Sequence, residues 1–268
     1  MILKNKSAVI FRAGGSLGGA VARAFSSAGA RVFISGRTIA SVQQVANEIN
    51  HAGGKAQAHQ VDALDKEAVE DYLRSIAHEG NSINICFNAI GLQDTQDVPL
   101  TRMSLDDFLR PIRIAMETQF ITSTACARIM MKQKSGVILS LTATPGGIGY
   151  PNVGGFGPAC CAIEGFSRNL ASELGPYGIR VVNMRSAGSP DSRPFKEALA
   201  QGGEEVQGFI SKLEEDTMLK ELPMMADIAN VATFLASDMA AKITGVTIDV
   251  TAGTTAGLNS KVTAIPFR

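Results

Sequence analysis

The stretch GVILSLTATPGGIGYPNVGGFGPACCAIEGFSRNLASELGPYGIRVV, residues 136–182, decides the fold class. Its apolar run at 137–141 predicts a strand, a loop rich in glycine follows, and a helix is predicted from about Phe156. A second apolar run, which begins at Ile179, predicts the next strand. In an open α/β sheet the chemistry sits just beyond the carboxyl end of a strand, so a catalytic group is expected in this loop. The loop and the start of the helix contain no His, Asp or Lys, and one tyrosine, Tyr150.

The same alternation of strand-like and helix-like patterns extends over almost the whole chain. Helical patterns separate the predicted strands, an order that requires right-handed crossovers and a parallel sheet with helices on both faces. We therefore predict an α/β fold: a three-layer, doubly wound, Rossmann-like parallel sheet with strand order 3-2-1-4-5-6-7. The predicted strands are residues 7–11, 31–35, 56–61, 83–88, 137–141, 179–185 and 246–250.

A single domain is predicted over residues 1–268, because a chain of this length can bury one large core. The polar segment at about 190–222 predicts a helical insertion that covers the substrate. Thr38 is predicted to cap the second helix, and Pro111 to interrupt the long fourth helix near its start. After Gly253 we expect a mobile tail.

Charge and composition argue against several classes of partner. Lys and Arg number 25, as do Asp and Glu, so neutrality gives no electrostatic basis for binding nucleic acid or an anionic membrane. No apolar run approaches the roughly 20 residues that span a bilayer. The N-terminal run meets Arg12 too early for a signal peptide. The four cysteines lack zinc-ligand spacing, so we expect no metal site, reduced thiols and a cytoplasmic location.

Four features that follow the first four strands indicate a nucleotide site. The turn RAGGSLGG at 12–19 offers backbone N–H groups to a pyrophosphate at a helix N-terminus. Arg37 follows the second strand where an acidic residue would hold the ribose of NAD, so it favours the 2′-phosphate of NADP(H). Asp62 could accept a hydrogen bond from the adenine amino group, and NAIG at 88–91 follows the fourth strand. Taken alone, each feature can also be explained without a nucleotide, as an ordinary turn or as a solvated arginine.

With these motifs the chain resembles the short-chain dehydrogenase/reductase family over residues 5–256. The resemblance implies an NAD(P)(H) oxidoreductase that acts on carbonyls or alcohols of a small-molecule substrate, usually as a homotetramer or homodimer. The segments that carry it are the turn at 12–19, Gly36-Arg37, VDALD at 61–65, NAIG at 88–91, SELGPYGIRV at 172–181 and FLASDMAAKITGVTIDVTAG at 234–253.

The glycine-rich turn departs from the pattern that the family uses. Arg12 stands at the position of the first glycine, and Ser16 at that of the second. The Ser16 hydroxyl could donate to a phosphate, whereas Arg12 could either grip the phosphates or block the nucleotide. The predicted cofactor-binding residues are Arg12, Ser16, Leu17, Arg37, Asp62, Asn88 and Gly91.

The family's catalytic Asn, Ser, Tyr and Lys correspond to Ala115, Ala143, Phe156 and Cys160. Phe156 has no ionisable proton, and a missing general acid costs about 10²–10⁴ in rate, so ordinary ketone reduction is disfavoured. Possible substitute donors are Thr142, Thr144, Tyr150, Cys160, Glu117 and Ser192, and Gly188 completes the predicted pocket.

Among these donors we name Tyr150 and Cys160 as catalytic candidates. Their plainer interpretations are a loop aromatic for Tyr150 and a packed helix residue for Cys160.

Three functions remain open. The first is a divergent NADP(H)-dependent oxidoreductase acting on an enone, imine or carbonyl. The second is an inactive scaffold of the same fold, and the third is a non-redox cyclase, isomerase or lyase, because fold alone does not choose among them.

Overall fold

The structure is a computed structural model that describes residues 1–256. Seven parallel strands form one sheet in the order β3-β2-β1-β4-β5-β6-β7, which confirms the predicted fold class and strand order. The strands are β1 Ser7–Phe11, β2 Arg31–Gly36, β3 Lys55–Gln60, β4 Ile85–Asn88, β5 Gly136–Ala143, β6 Ile179–Ser186 and β7 Thr247–Val250.

The described residues form seven α-helices. They are α1 Ser16–Ser27, α2 Ile39–His51, α3 Lys66–His78, α4 Leu105–Gln133, α5 Phe156–Leu174, α6 Arg193–Glu215 and α7 Met225–Ala236. Of these, α1, α2 and α7 pack on one face of the sheet and α3, α4 and α5 on the other. Successive strand residues point to opposite faces, so each strand supplies two cores. In β1, Ile10 packs with α1, α2 and α7, whereas Val9 and Phe11 pack with α3, α4 and α5.

The end of β5 lies further along the chain than the sequence predicted. Thr142 and Ala143 were expected in the loop, but they continue the strand and pair with Arg185 and Ser186 of β6. Inside the sheet the Thr142 hydroxyl bonds to Glu164 and Asn183, so a polar side chain at this position is compatible with a strand. The strand therefore carries Ala143 directly to the edge where the site is expected.

Two details of the helices also differ from the prediction. Pro111 lies inside α4 and the helix continues through it; its ring is buried close to Gly155, so packing between α4 and α5 offsets the lost hydrogen bond. Thr38 occupies the N-cap position of α2, but its side chain makes no capping bond. Instead the Ser41 hydroxyl donates to the Thr38 carbonyl at 2.9 Å.

The segment at 190–222 contains α6, which bends at Gly203, where φ is 49° and ψ is −125°. Residues 257–268 of the predicted tail lie outside the described residues. In the described part of the chain, no helix combines the length and the apolar character that crossing a membrane requires.

Candidate functional site

Two adjoining cavities lie at the carboxyl ends of the strands. The first, about 330 Å³, is bounded by the ends of β1, β2 and β3 and is called here the β2–β3 cavity. The second, about 230 Å³, is bounded by the turn before α1, the ends of β5 and β6 and the start of α5, and is called the β5–β6 cavity. The residues that line both cavities are Arg12, Ile90, Gly91, Leu92 and Asp94.

The glycine-rich turn brings its backbone to the wall of the β5–β6 cavity. Gly15 is the N-cap of α1 without a side-chain cap, so the first N–H groups of the helix have no capping side chain. A Cβ at Gly18 would lie 2.5 Å from the Arg12 carbonyl oxygen, so this tight turn requires glycine there. Ser16 and Leu17 line the same cavity. The arrangement suits an anion held by backbone N–H groups.

Arg12 lies between the two cavities and has an unusual backbone. Its φ is 64°, in the left-handed region that glycine adopts readily and other residues adopt at a cost of about 1–2 kcal/mol. Its guanidinium packs against the loop after β4, so closely that a Cβ on Gly91 would lie 2.6 Å from Nη1. Within residues 1–256 the guanidinium donates no hydrogen bond. The side chain is therefore available to a ligand in either cavity.

Three arginines, Arg12, Arg37 and Arg193, make the part of the site around Arg12 positive. Burial lowers the pKa of Arg12, and the charges of Arg37 and Arg193 lower it further. Arg37 is exposed at the edge of the β2–β3 cavity. Neither Arg12 nor Arg37 forms an ion pair with a carboxylate of the described residues. A bound anion would relieve this repulsion, so the residues present fit the phosphates of a dinucleotide.

Arg193, the first residue of α6, did not emerge from the sequence. Its backbone N–H donates to the Ser16 hydroxyl oxygen at 2.9 Å, which joins the start of α6 to the glycine-rich turn. Ser16 was predicted as a phosphate donor; its oxygen accepts this bond, and its proton is still free to donate. The signal for Arg193 was weak because its position depends on the path of the chain after β6.

Asp62 and Asn88, two predicted cofactor residues, occupy different environments. Asp62 is exposed beside the β2–β3 cavity, and its carboxylate accepts a hydrogen bond from the Leu64 N–H at 3.1 Å. Asn88 is buried and lines neither cavity. Its amide donates to Gln119 Oε1 and to Ser123 Oγ, each at 3.1 Å. Asn88 thus joins β4 to α4, behind the cavity wall.

Ala143, Phe156 and Cys160 all line the β5–β6 cavity. Ala115 is fully buried next to it, in a small apolar cluster with Ala159 and Ile163. Burial raises the pKa of the Cys160 thiol to about 12, so this sulfur is protonated at neutral pH. The four positions at which the resemblance predicts catalytic residues therefore lie at or beside one cavity, and none of the four side chains is a strong acid.

The remaining candidate residues do not line this cavity. Tyr150 is half-buried in the loop before α5 and belongs to the lining of neither cavity. Thr144 is buried and Glu117 is exposed, whereas Ser192 is the buried N-cap of α6 without a capping side-chain bond. Gly188 lies against Phe195, whose Cζ would be 2.6 Å from an added Cβ.

A buried polar network lies beneath the β5–β6 cavity. The Thr142 hydroxyl donates to Glu164 Oε1 at 3.0 Å and accepts from Asn183 Nδ2 at 2.7 Å. Arg185 donates to both Glu164 oxygens, at 3.1 and 2.7 Å, and to Asp249. Because the Thr142 proton is already shared with Glu164, this hydroxyl supports the cavity floor rather than offering a free donor.

Asp94 is the second residue of the site that sequence reasoning missed. It is half-buried in the loop after β4 and lines both cavities. Gln96 Nε2 donates to its Oδ2 at 2.6 Å. Its position in the loop just beyond the carboxyl end of β4 could have drawn attention to it, but no motif includes it.

The chain is similar to known enzymes over almost its whole length. A model of the family described as enoyl-(acyl carrier protein) reductase matches residues 13–255. The 3-oxoacyl-[acyl-carrier-protein] reductase of Haemophilus influenzae is 30% identical over 252 residues, which cover 94% of this chain and 98% of that protein. The corresponding reductase of Aquifex aeolicus is 28% identical with the same two coverages.

Solved structures agree with this similarity. Sorbitol-6-phosphate 2-dehydrogenase from Erwinia amylovora superposes with a TM-score of 0.85 at 26% identity, covering 92% of this chain and 98% of that one. A gluconate 5-dehydrogenase from Burkholderia cenocepacia, in complex with NADP and tartrate, superposes with a TM-score of 0.86 at 21% identity, covering 96% and 97%. The second likeness concerns the fold alone. The sheet order, the cavities at the strand ends and these relatives together show that the chain belongs to the short-chain dehydrogenase/reductase family of oxidoreductases.

Proposed function

We propose that this protein is a divergent NADP(H)-dependent oxidoreductase that transfers hydride between the nicotinamide and a small organic substrate, an enone, an imine or a carbonyl. The observation that carries the proposal is the group of three arginines, Arg12, Arg37 and Arg193, without carboxylate partners for Arg12 and Arg37 among the described residues. NADP(H) carries phosphates at two places, and this charge distribution is complementary to them.

Each predicted cofactor residue has a role in this proposal. Arg37 binds the 2′-phosphate, while Arg12 and the N–H groups of Ser16 and Leu17 bind the pyrophosphate. Asp62 accepts a hydrogen bond from the adenine. The roles of the other two residues are structural: Asn88 joins β4 to α4, and Gly91 leaves room for the Arg12 guanidinium.

When bound, the nicotinamide supplies the hydride, and the side chains that line the cavity include few groups that can donate a proton. Cys160 is a neutral thiol on the wall of the β5–β6 cavity and is a candidate donor there. Tyr150 lies outside both cavities, so its role as a donor requires its loop to close over the substrate. A substrate that is already activated needs least from either group.

A second candidate function is nucleotide binding without turnover. It is supported by Ala143, Phe156 and Cys160, because an apolar wall stands where the family carries its proton-transfer groups. Such a scaffold would bind the nucleotide through its arginines but would not catalyse hydride transfer. A turnover assay separates it from the oxidoreductase.

We extend the proposal to the assembly and location of the protein, a homodimer or homotetramer in the cytoplasm. The support for an assembly is Phe120, which is 60% exposed near the middle of α4. The support for the cytoplasm is that all four cysteines are free. The whole of 1–268 is proposed to act as one domain.

Arg37→Ser tests the cofactor assignment, with Arg102→Ser, another exposed arginine, as its matched control. We expect the wild-type protein to bind NADPH at least tenfold more tightly than NADH, since a charge-assisted hydrogen bond contributes about 1.5–3 kcal/mol. Arg37→Ser should lose this preference, measured by calorimetry, whereas Arg102→Ser should keep it. If Arg37→Ser binds NADPH like the control, the role of Arg37 is wrong.

NADPH consumption with a panel of enones, imines and ketones then tests the redox activity. Turnover of any class supports the oxidoreductase. Tight NADPH binding with no turnover across the panel would favour the scaffold instead.

A further inference from the structure

The β5–β6 cavity has charges of both signs on its wall. Arg12 lines it, with Arg37 and Arg193 as charged neighbours. Asp94 lines it too, and the carboxylates of Glu164 and Asp94 are close enough to Cys160 to raise the pKa of its thiol. A ligand in the cavity therefore meets a cation at Arg12 and a carboxylate at Asp94.

Of these two carboxylates, only Asp94 is available to a ligand. Glu164 is buried and already holds Arg185 and Thr142. Asp94 lines the cavity, and Gln96 alone among the described residues donates a hydrogen bond to it, at one of its two oxygens. It forms no ion pair with a described residue. An unpaired carboxylate on the wall of a partly enclosed cavity is stabilised by a cation.

The apolar part of the cavity wall also suits an organic cation. Phe156 lines the cavity, and aromatic rings attract ammonium-type cations. Ala143, Leu141 and Cys160 supply apolar and weakly polar contacts that bind the hydrocarbon part of such a molecule. Arg12 does not oppose this, because in the proposed function its charge is offset by the cofactor phosphates.

We propose that the substrate is an iminium ion, a protonated imine, and that Asp94 is the residue that recognises its positive charge. This inference rests on the proposed function and narrows its substrate class. It also accounts for the missing acid. Hydride adds to the iminium carbon, the π electron pair of C=N moves to nitrogen, and nitrogen already carries its proton. The products are a neutral amine and the oxidised nicotinamide, and no proton donor is required.

Binding of a cation tests the site without catalysis. The probe is 1-methylpiperidine, which is protonated at pH 7, and its neutral comparison is cyclohexanone, both titrated calorimetrically into the full chain with and without NADP⁺. We expect the amine to bind at least tenfold more tightly than the ketone, from the usual strength of a charge-assisted hydrogen bond. Equal affinity for the two probes would overturn the proposal.

Asp94→Asn removes the charge and keeps the shape and an oxygen for Gln96. Asp97→Asn is the matched control, since Asp97 is exposed in the same loop and lines neither cavity. Asp94→Asn should weaken amine binding about tenfold and leave ketone binding unchanged, whereas Asp97→Asn should change neither. Unchanged amine affinity in Asp94→Asn, with folding verified by circular dichroism, would contradict the role of Asp94.

Turnover completes the test and separates the two proposals. With NADPH we expect the wild-type protein to reduce 2-methyl-1-pyrroline at least tenfold faster than cyclohexanone, and Asp94→Asn to lose that preference. Faster reduction of the ketone would overturn the assignment of the substrate. If NADPH fails to bind while the amine preference persists, the proposed redox function falls and the cation site at Asp94 stands.

Discussion

At the scale of single residues, Arg12 combines a strained backbone conformation in the turn with a positive charge in the site. The φ of Arg12 lies in the left-handed region, which is a strained conformation for a residue with a side chain. Such residues persist only where the surrounding structure holds them in place, and they are concentrated at functional sites. Glycine at the same position would remove the strain together with the cation. The cost of the conformation is therefore consistent with a ligand-binding role for the guanidinium.

Paired substitutions separate these two contributions. Arg12→Gly and Arg12→Ala remove the same guanidinium, but only glycine tolerates a φ of 64°. We expect Arg12→Gly to be more stable than Arg12→Ala by about 1 kcal/mol in urea unfolding, and both to bind NADPH about tenfold more weakly than wild type. Tighter NADPH binding in either variant would mean that Arg12 blocks the nucleotide site.

Cys160 and its neighbour Cys161 are predicted to react very differently. With a pKa of about 12, roughly one Cys160 in ten thousand is a thiolate at pH 8, whereas Cys161 is exposed. Brief treatment of the folded protein with iodoacetamide at pH 8 should label Cys161 and spare Cys160, as read by peptide mass spectrometry. The protein unfolded in guanidinium is the control, in which every cysteine should be labelled. Rapid labelling of Cys160 in the folded state would show a reactive thiolate and contradict the assignment of a neutral thiol.

At the scale of elements, the network between α5, β6 and β7 stabilises the floor of the site. The Arg185–Glu164 pair joins α5 to β6, and Arg185 also reaches Asp249 of β7. The Arg185 and Glu164 side chains are 12% and 7% exposed, so removal of either one leaves the charge of the other buried and poorly solvated. Gly146 and Gly147 lie over the pair, where a Cβ would come within 2.6 Å of it. The loop beside the cavity thus rests directly on these charges.

Arg185→Met should destabilise the protein by about 3–5 kcal/mol, because Glu164 is left buried without its cation. The matched control is Arg128→Met, which breaks the Arg128–Glu70 pair between side chains that are 53% and 32% exposed. That loss should be below about 1 kcal/mol. Denaturant midpoints of the two variants measure the difference, and a small loss in Arg185→Met would mean that the network contributes little to stability.

The order of elements could be predicted because the sequence alternates apolar strands with helical patterns. The ends of elements were predicted less well, since side-chain partners decide them. β5 continues through Thr142 because Glu164 and Asn183 satisfy its hydroxyl, and α4 continues through Pro111 because Gly155 allows close packing. Neither partner is near in sequence, so local propensity could not reveal them.

At the scale of the whole molecule, the cofactor side of the site was more predictable than the substrate side. Arg12, Arg37 and Asp62 follow successive strands, and parallel strands bring such residues to one edge of the sheet. Arg193 and Asp94 lie on segments whose paths depend on tertiary packing. Both were therefore missed, although they supply a cation and a carboxylate near the cavities.

The proposed assembly gives a further prediction at this scale. Phe120 is 60% exposed on α4, and burial of such a ring between two copies would be favourable. Light scattering should find a homodimer or homotetramer for the wild-type protein and a smaller species for Phe120→Glu. Phe209→Glu is the control, since Phe209 is 58% exposed on α6. A monomeric wild-type protein, or dissociation by Phe209→Glu alone, would contradict the role of α4.

In the proposed function the arginines at the ends of the strands bind NADP(H). Calorimetric titration of NADPH and NADH into the full wild-type chain measures this binding. We expect one site per chain and affinity for NADPH at least tenfold above that for NADH, because the extra phosphate meets Arg37, which forms no ion pair within residues 1–256. No binding at millimolar NADPH, or equal affinity for the two nucleotides, would contradict it.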